Sequence, residues 1–189
     1  MTNQNREEIL AKIHQGNSLN GVDLSHVDLS YENLKDVDFS GAILNDVHMQ
    51  NANLENANFS GCQMERAFLF GANLSGATFD KANLIDANLQ DSNLERASFI
   101  EAVMIHVKLF GSQMPNSTFR KTDLTAARMK RAVLTDADFT EAILTNAHLE
   151  RSDLSRANFT NANLENVRLT NSKLDDVIFV GANTSGMTQ

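Results

Sequence analysis

Residues 72–91 read ANLSG-ATFDK-ANLID-ANLQD, and this run of five-residue units decides the fold. Each unit begins with a small residue and carries a large apolar residue two places later. From Leu19 to Phe179 every fifth residue is Leu, Phe or Met with no change of phase, which gives 33 positions that hold 20 Leu, eight Phe and five Met. The sequence is therefore an internal repeat with a period of five.

A period of five fits neither regular secondary structure. An α-helix would turn the large residue by about 140° per unit and spread it around the whole surface. A flat strand would place it on alternate faces. All the large residues stay inside only if the chain turns a corner once per unit. Phe takes the large position every twenty residues, from Phe39 to Phe179, which predicts four units per coil with the Phe rings stacked on one side.

The A-(N/D)-L-x-x unit resembles the repeat of the pentapeptide-repeat family, and the resemblance covers residues 19–183. It implies an all-β fold, a right-handed quadrilateral β-helix with the large and small residues of every unit inside. Hydrogen-bonded neighbours lie ~4.8 Å apart. We therefore expect a solenoid of about eight four-repeat coils that forms a rod ~40 Å long.

The N-terminal end of the rod is predicted to be covered. Residues 5–16 indicate a short amphipathic capping helix within a lead-in of residues 1–18, with Asn5 as its N-cap and Ile9 on its apolar face. A helix that binds a partner is the alternative. Glu32 is the one charged residue in the small position, and we expect it to reach solvent or a partner in the capping helix, because an unpaired buried carboxylate is too costly.

The C-terminal end is predicted to be open. The repeat ends at Thr184, where a large residue is due, and leaves a short tail of residues 184–189. Ile178 and Val180 flank Phe179 in outward positions. An uncovered end with apolar neighbours predicts a homodimer through the C-terminal coil.

No pattern in the sequence indicates catalysis. The single Cys, Cys62, takes a small interior position, and no His has a His neighbour one coil away in its own row. Phosphate-binding loops and nucleophile motifs are missing as well. We therefore expect a protein that is not an enzyme and has no catalytic residues, no cofactor and no metal.

The composition restricts the partners. The chain has 16 Lys and Arg against 24 Asp and Glu, a net charge of −8, so we expect no direct nucleic-acid binding. No apolar run approaches the ~18–20 residues that span a bilayer, and the first residues do not form a signal peptide, which predicts a soluble, cytoplasmic protein without membrane contact.

The outward positions carry two candidate binding features. Residues 1–100 have a net charge of −8 and residues 101–189 a net charge of zero, and one side of the second half is basic. This basic stripe is a candidate site for an acidic protein surface; its residues are Lys108, Arg128, Lys130, Arg131, Arg151 and Arg168. The second feature is an apolar surface in the middle of the rod, a candidate protein contact; its residues are Phe68, Phe70, Phe110, Ile85 and Ile105.

A row of amides, Asn33, Asn53, Asn73 and Asn93, is expected to hydrogen-bond along the rod and to continue to Gln113. Structure alone accounts for such a row, so we assign it no binding role.

Two functions fit this surface. The first is a non-catalytic rod that binds an unidentified protein partner through the apolar surface and the uneven charge. The second follows from the resemblance, because some pentapeptide-repeat proteins mimic DNA and bind DNA gyrase or topoisomerase IV, which protects against quinolones or gyrase toxins. The net charge of −8 fits DNA mimicry, whereas the basic stripe does not, since a mimic of DNA should stay acidic along the side that it offers.

Overall fold

A computed structural model describes residues 6–16 and 18–189. Among these residues one helix, α1 (Arg6–His14), precedes a chain that forms single-residue parallel bridges and no longer strand. Every bridge joins a residue to the one twenty positions later, beginning with Asp23 and Ile43 and ending with Arg168 and Thr188. The twenty-residue coil predicted from the Phe spacing is confirmed, and the chain winds into a four-sided solenoid.

The bridges form four rows, one on each side of the solenoid, and we number the sides in chain order. Side 1 runs from Asp23 to Asn183 and side 2 from Asp28 to Thr188. Side 3 runs from Asn33 to Lys173 and side 4 from Asp38 to Ile178. Outward residues that are twenty apart are therefore direct neighbours.

A tight turn at every corner produces this geometry. In each unit the N–H of the small residue donates to the carbonyl of the large residue three places earlier, as Ala77 N does to Leu74 O at 3.0 Å. The residue before the small residue occupies the third position of a type II β-turn, which requires a positive φ. Its φ is 70° at Gly76 and 57° at Asn56. Glycine and Asn tolerate this conformation, but most corners of the second half carry other residues, such as Arg131 at 58°.

The interior is a set of stacked apolar rows. The Phe rings from Phe39 to Phe159 are buried, with centroids 4.7–5.1 Å apart and planes within 8° of parallel. Polar residues in the small position are buried too, and their hydroxyls donate to backbone carbonyls, as Thr122 does to Phe99 O at 2.6 Å. Such satisfied donors carry little penalty inside the rod.

The capping helix covers the first coil. Ile9 and Ile13 are buried against the core, and Leu10 packs partly against it. The predicted N-cap, Asn5, lies outside the described residues. Arg6 ion-pairs with Glu32 and its Nε donates to Asp28 O at 2.8 Å, so Glu32 reaches a partner in the helix, one of the two outcomes expected for it.

The coil continues further at the C-terminus than the sequence predicts. Leu169 N bonds to Thr188 O at 2.7 Å, and Met187 packs partly against the core. The path therefore crosses the boundary expected at residue 183 and runs through most of the expected tail. Thr184 lacks a large side chain but still follows the coil. The backbone hydrogen bond from Met187 N to Thr184 O, at 3.2 Å, and the positive φ of 69° at Gly186 maintain the turn there.

The row of amides is shorter than expected. Asn53, Asn73 and Asn93 each donate to the preceding Asn at 2.9–3.1 Å. Gln113 does not continue the row, because its longer side chain folds back and donates to Gly111 O at 3.3 Å.

Candidate functional site

The basic stripe lies on side 2 and on the corner between sides 2 and 3. On side 2, Lys108, Arg128, His148 and Arg168 occupy successive bridges, so ionisable side chains follow one another through four coils. Lys130 lies at the adjoining corner, with Arg131 and Arg151 one place further along the chain. The structure thus brings all six predicted residues onto one continuous strip.

A surface groove crosses the C-terminal part of this strip and has a volume of about 610 Å³. Its walls include four residues of the basic stripe, together with one aromatic ring and one carboxylate: Lys130, Arg131, Arg151, Arg168, Phe110 and Glu150. The guanidinium of Arg131 lies over the Phe110 ring, 5.7 Å from its centroid, a favourable cation–π arrangement.

On the described solenoid outside the basic stripe, every Lys and Arg has a carboxylate within 4 Å, in most cases one coil away, whereas Lys12 on α1 forms no ion pair with the described residues. Lys35 pairs with Glu55 at 3.0 Å, and Arg156 pairs with Asp136 at 2.6 Å. On the basic stripe only Lys130 has such a partner, Glu150 at 3.0 Å. Within residues 6–16 and 18–189, the other five form no ion pair, and these are Lys108, Arg128, Arg131, Arg151 and Arg168.

His148 and Glu150 lie among the cations of the basic stripe, and both have shifted pKa values. Burial lowers the pKa of His148, and the charges of Arg168, Lys130 and Arg128 lower it further, although Glu150 opposes this. Burial acts to raise the pKa of Glu150, but its backbone hydrogen bond and Lys130 outweigh burial and lower it overall. In the described residues Glu150 Oε2 is buried without a hydrogen-bond partner. The groove thus contains one carboxylate among several cations.

The apolar surface is less continuous than the sequence indicates. Phe70 and Phe110 are 42% and 37% exposed at the corner of sides 2 and 3, two coils apart with Gln90 between them. Phe68 is half-buried and stacks on His48, with ring centroids 4.7 Å apart. Ile85 and Ile105 are half-buried at the opposite corner of side 2. Phe70 and Phe110 are therefore the accessible part of the set.

Sequence reasoning missed several surface residues. Tyr31 is 78% and Ile143 42% exposed, so they also present apolar groups. Glu150, which contacts both Lys130 and His148, was not connected with the basic stripe. Its position twenty residues after Lys130 is the signal that could have identified it.

The groups capable of catalysis or metal binding are dispersed. Cys62 is buried, its Sγ donates to Phe39 O at 3.0 Å, and burial raises its pKa to about 11. The thiol is therefore protonated at neutral pH and serves as a core residue, as the sequence indicates. In the described part of the chain no three His, Cys, Asp or Glu side chains are arranged to hold a metal ion.

The C-terminal end of the solenoid exposes backbone and apolar groups. Leu154 N and Phe159 N donate to carbonyls of the last coil, at 3.0 and 2.8 Å. The equivalent donors one coil later, Leu174 N and Phe179 N, have no partner within the described ranges. Ile178 is 45% and Val180 69% exposed beside them.

A four-sided solenoid with one large residue per five-residue turn and a filled interior defines a class of repeat proteins. The sequence model of that class, "Pentapeptide repeats", matches in eight copies between residues 18 and 114 and between residues 117 and 183. The chain therefore belongs to the pentapeptide-repeat family, as the A-(N/D)-L-x-x unit predicts.

Solved structures of other pentapeptide-repeat proteins are similar to this chain. HetL, involved in heterocyst differentiation regulation in the cyanobacterium Nostoc sp. strain PCC 7120, is 23% identical over 96% of this chain and 95% of its own, with a TM-score of 0.45. QnrB1, a plasmid-mediated fluoroquinolone resistance protein, is 20% identical over 86% and 89%, with a TM-score of 0.45. A protein of the Arabidopsis thaliana thylakoid lumen is 23% identical over 70% and 68%, with a TM-score of 0.20.

At these identities and TM-scores, family membership rests on the repeat match. None of the curated proteins matches the chain. The described residues contain no helix with the length and apolar character needed to cross a membrane.

Proposed function

We propose that this protein is a non-catalytic protein-binding rod, and that an unidentified partner protein docks on its apolar surface. The observation that supports the proposal is the exposure of Phe70 and Phe110 at one corner of a rod whose own interior is filled. Aromatic side chains are enriched at the centres of protein interfaces and are often the residues that dominate affinity. The fixed spacing of the coils holds these two rings at a constant separation.

The Phe70→Ser/Phe110→Ser double variant is expected to lose at least about tenfold in partner capture, because each ring contributes about 1 kcal/mol or more to such an interface. The measurement is affinity capture from an extract of the source cells, quantified by mass spectrometry. Ile143→Ser is the matched control, since Ile143 is an equally exposed apolar residue that lies on side 1, away from the corner that carries both rings. Equal capture by the double variant and the wild type would contradict the proposal. A Phe70→Ser single variant tests the ring that lies outside the groove.

The proposal includes three finer features of the fold. We propose that the solenoid is right-handed and has about eight coils, with an N-terminal segment of residues 1–18. The resemblance to the family supports the handedness, and the twenty-residue bridges from Asp23 to Thr188 support the number of coils.

We also propose that the protein forms a homodimer through its C-terminal coil. The unpaired N–H groups of Leu174 and Phe179, together with the exposed Ile178 and Val180, support it, because an uncovered edge of this kind pairs readily with another chain. The same end on two copies gives a closed two-fold contact.

Ile178→Asp/Val180→Asp is expected to convert a dimer into a monomer of 20.9 kDa, since it places charges in the apolar contact. Light scattering coupled to size exclusion measures the mass at micromolar concentrations. Val103→Asp is the control, because Val103 is also exposed but lies in the middle of the rod. A wild-type protein that is already monomeric would contradict this part of the proposal.

A second candidate function is a DNA-mimicking inhibitor or protector of DNA gyrase or topoisomerase IV. It is favoured by the 14 acidic and six basic residues in residues 1–100. The unpaired cations of the basic stripe oppose it, so we rank it second. A supercoiling assay with purified gyrase, with and without a quinolone, distinguishes the two, because inhibition or protection is expected only for the second function.

A further inference from the structure

The stacking of like charges on side 2 needs an explanation. Lys108 and Arg128 are joined by one bridge, Arg168 lies two coils further on the same side beyond His148, and Arg131 and Arg151 occupy neighbouring coils at the adjoining corner. Like charges directly opposite one another in a sheet are destabilising. On other parts of the rod, opposite charges occupy neighbouring coils, as with Asp46 and Arg66. The basic stripe thus departs from a pairing rule that the same chain follows elsewhere, and a bound anionic group would remove the repulsion.

We propose that the groove beside Phe110 binds an acidic, extended segment of the partner protein. The inference rests on the proposed function, because it assigns the chemistry of the partner that the rod binds. The segment lies along the rod with its carboxylates on the unpaired cations of the basic stripe.

The dimensions fit a short peptide. From Lys108 to Arg168 the row of cations crosses three intervals between coils, or about 14 Å at ~4.8 Å per interval. Alternate residues of an extended peptide lie ~6.6 Å apart on one face, so three carboxylates in alternate positions span ~13 Å. A segment of five or six residues is therefore long enough to contact the whole row.

The groove also offers an apolar contact. Phe110 lines it with Arg131 over its ring, which gives the segment an aromatic neighbour beside the cations. Arg131, Arg151 and Arg168 can each donate two parallel hydrogen bonds to a carboxylate, which is the geometry that guanidinium groups favour. An acidic segment that carries one aromatic residue uses both features.

Nucleic acid fits this groove less well than a peptide. Its phosphates continue beyond 14 Å, and the N-terminal half of the rod on this strip carries Asp28 and Asp91 and no Lys or Arg. The net charge of −8 repels a long polyanion at a distance. The carboxylate of Glu150, retained among the cations, adds local repulsion, whereas the N–H groups of a peptide backbone can donate to a carboxylate.

The test is binding of a fluorescein-labelled acidic hexapeptide, FEDEDE, to the full-length protein, measured by fluorescence anisotropy at 50 and 200 mM salt. We expect binding that weakens at the higher salt and at least tenfold weaker binding to the variant Arg131→Gln/Arg151→Gln/Arg168→Gln. The neutral hexapeptide FQNQNQ should bind at least tenfold more weakly than FEDEDE.

The matched control variant is Arg96→Gln/Arg120→Gln/Arg156→Gln, which changes the net charge equally but removes exposed cations that have carboxylate neighbours. It should bind FEDEDE within twofold of the wild type. The groove variant, Arg131→Gln/Arg151→Gln/Arg168→Gln, should unfold at the same temperature as the wild type or a higher one, because it removes repulsion between cations of the basic stripe. A lower midpoint together with lost binding would assign these arginines a structural role and overturn the inference.

Three further results would overturn it. The first is no binding of FEDEDE, and the second is an equal loss of FEDEDE binding in the two triple variants. The third is binding of a 12-mer of oligothymidylate that is tighter than the binding of FEDEDE and is lost in the groove variant. A change in mass on mutating the groove would assign it to a second copy of this chain instead. If the hexapeptide does not bind while capture still depends on Phe70, this inference fails and the proposed function stands. If capture does not depend on Phe70, the proposed function fails.

Discussion

Phe99→Ala is expected to lower the free energy of unfolding by about 3–5 kcal/mol, the range for removal of a buried Phe. Phe99 is fully buried, and its ring stacks between Phe79 and Phe119 with centroids 4.9 Å away on each side. The backbone bonds on both sides keep the coil spacing fixed, so the walls cannot close around the cavity. Chemical denaturation followed by circular dichroism measures the change.

The control for this variant is Phe70→Ala, because Phe70 is the same residue type in an outward position. It should change stability by less than about 1 kcal/mol. In a repeat protein each coil contacts only its neighbours, so a cavity in the middle also weakens the coupling between the two halves. A Phe99→Ala protein as stable as Phe70→Ala would show that the stack does not contribute to stability.

Ala97→Glu is expected to be still more damaging, with a loss of about 5 kcal/mol or more, because it buries a carboxylate without a partner. Ala97 lies in the small position of the central coils and is 1% exposed. Its neighbours in the same row are Ala77 and Ser117, and neither can neutralise a charge. Thermal unfolding and the yield of folded protein report the effect.

Gln113→Glu is the control for this variant, since Gln113 points outward and is exposed. It should unfold within a few degrees of the wild type. Glu32 shows why the native chain tolerates one carboxylate in the small position, because it lies next to α1 and pairs with Arg6. A folded Ala97→Glu protein of native stability would mean that the coil opens to solvent at that point.

The sequence predicts the interior better than the surface. One apolar position per five residues has only one arrangement that buries every large side chain, so the Phe spacing alone predicts the twenty-residue coil that the bridges show. The apolar face of α1 is predicted for the same reason, and Ile9 is buried. Interior positions are predictable because every unit must bury its large and small residues in the same way.

The surface is determined by individual side chains, which the repeat does not constrain. Gln113 folds back on Gly111 because its longer side chain has a second acceptor within reach. Phe68 is half-buried because His48 happens to lie one coil below it. The groove arises from Phe110, Arg131 and Glu150, whose side chains meet only after the chain has completed whole coils. Sorting residues by side predicts the basic stripe but not this concavity.

Because bridges join residues twenty apart, every five residues of chain advance the backbone by one side of the solenoid, which is a quarter turn about its axis. Inserting one five-residue unit in the middle would rotate everything beyond it by a quarter turn, so the cations near Arg151 would no longer lie in line with Phe70. Inserting four units would restore the alignment and move the two features apart by only ~4.8 Å. Relatives that present the same combined surface are therefore expected to differ in length by multiples of twenty residues between these two features, and other lengths generate a different surface from the same units.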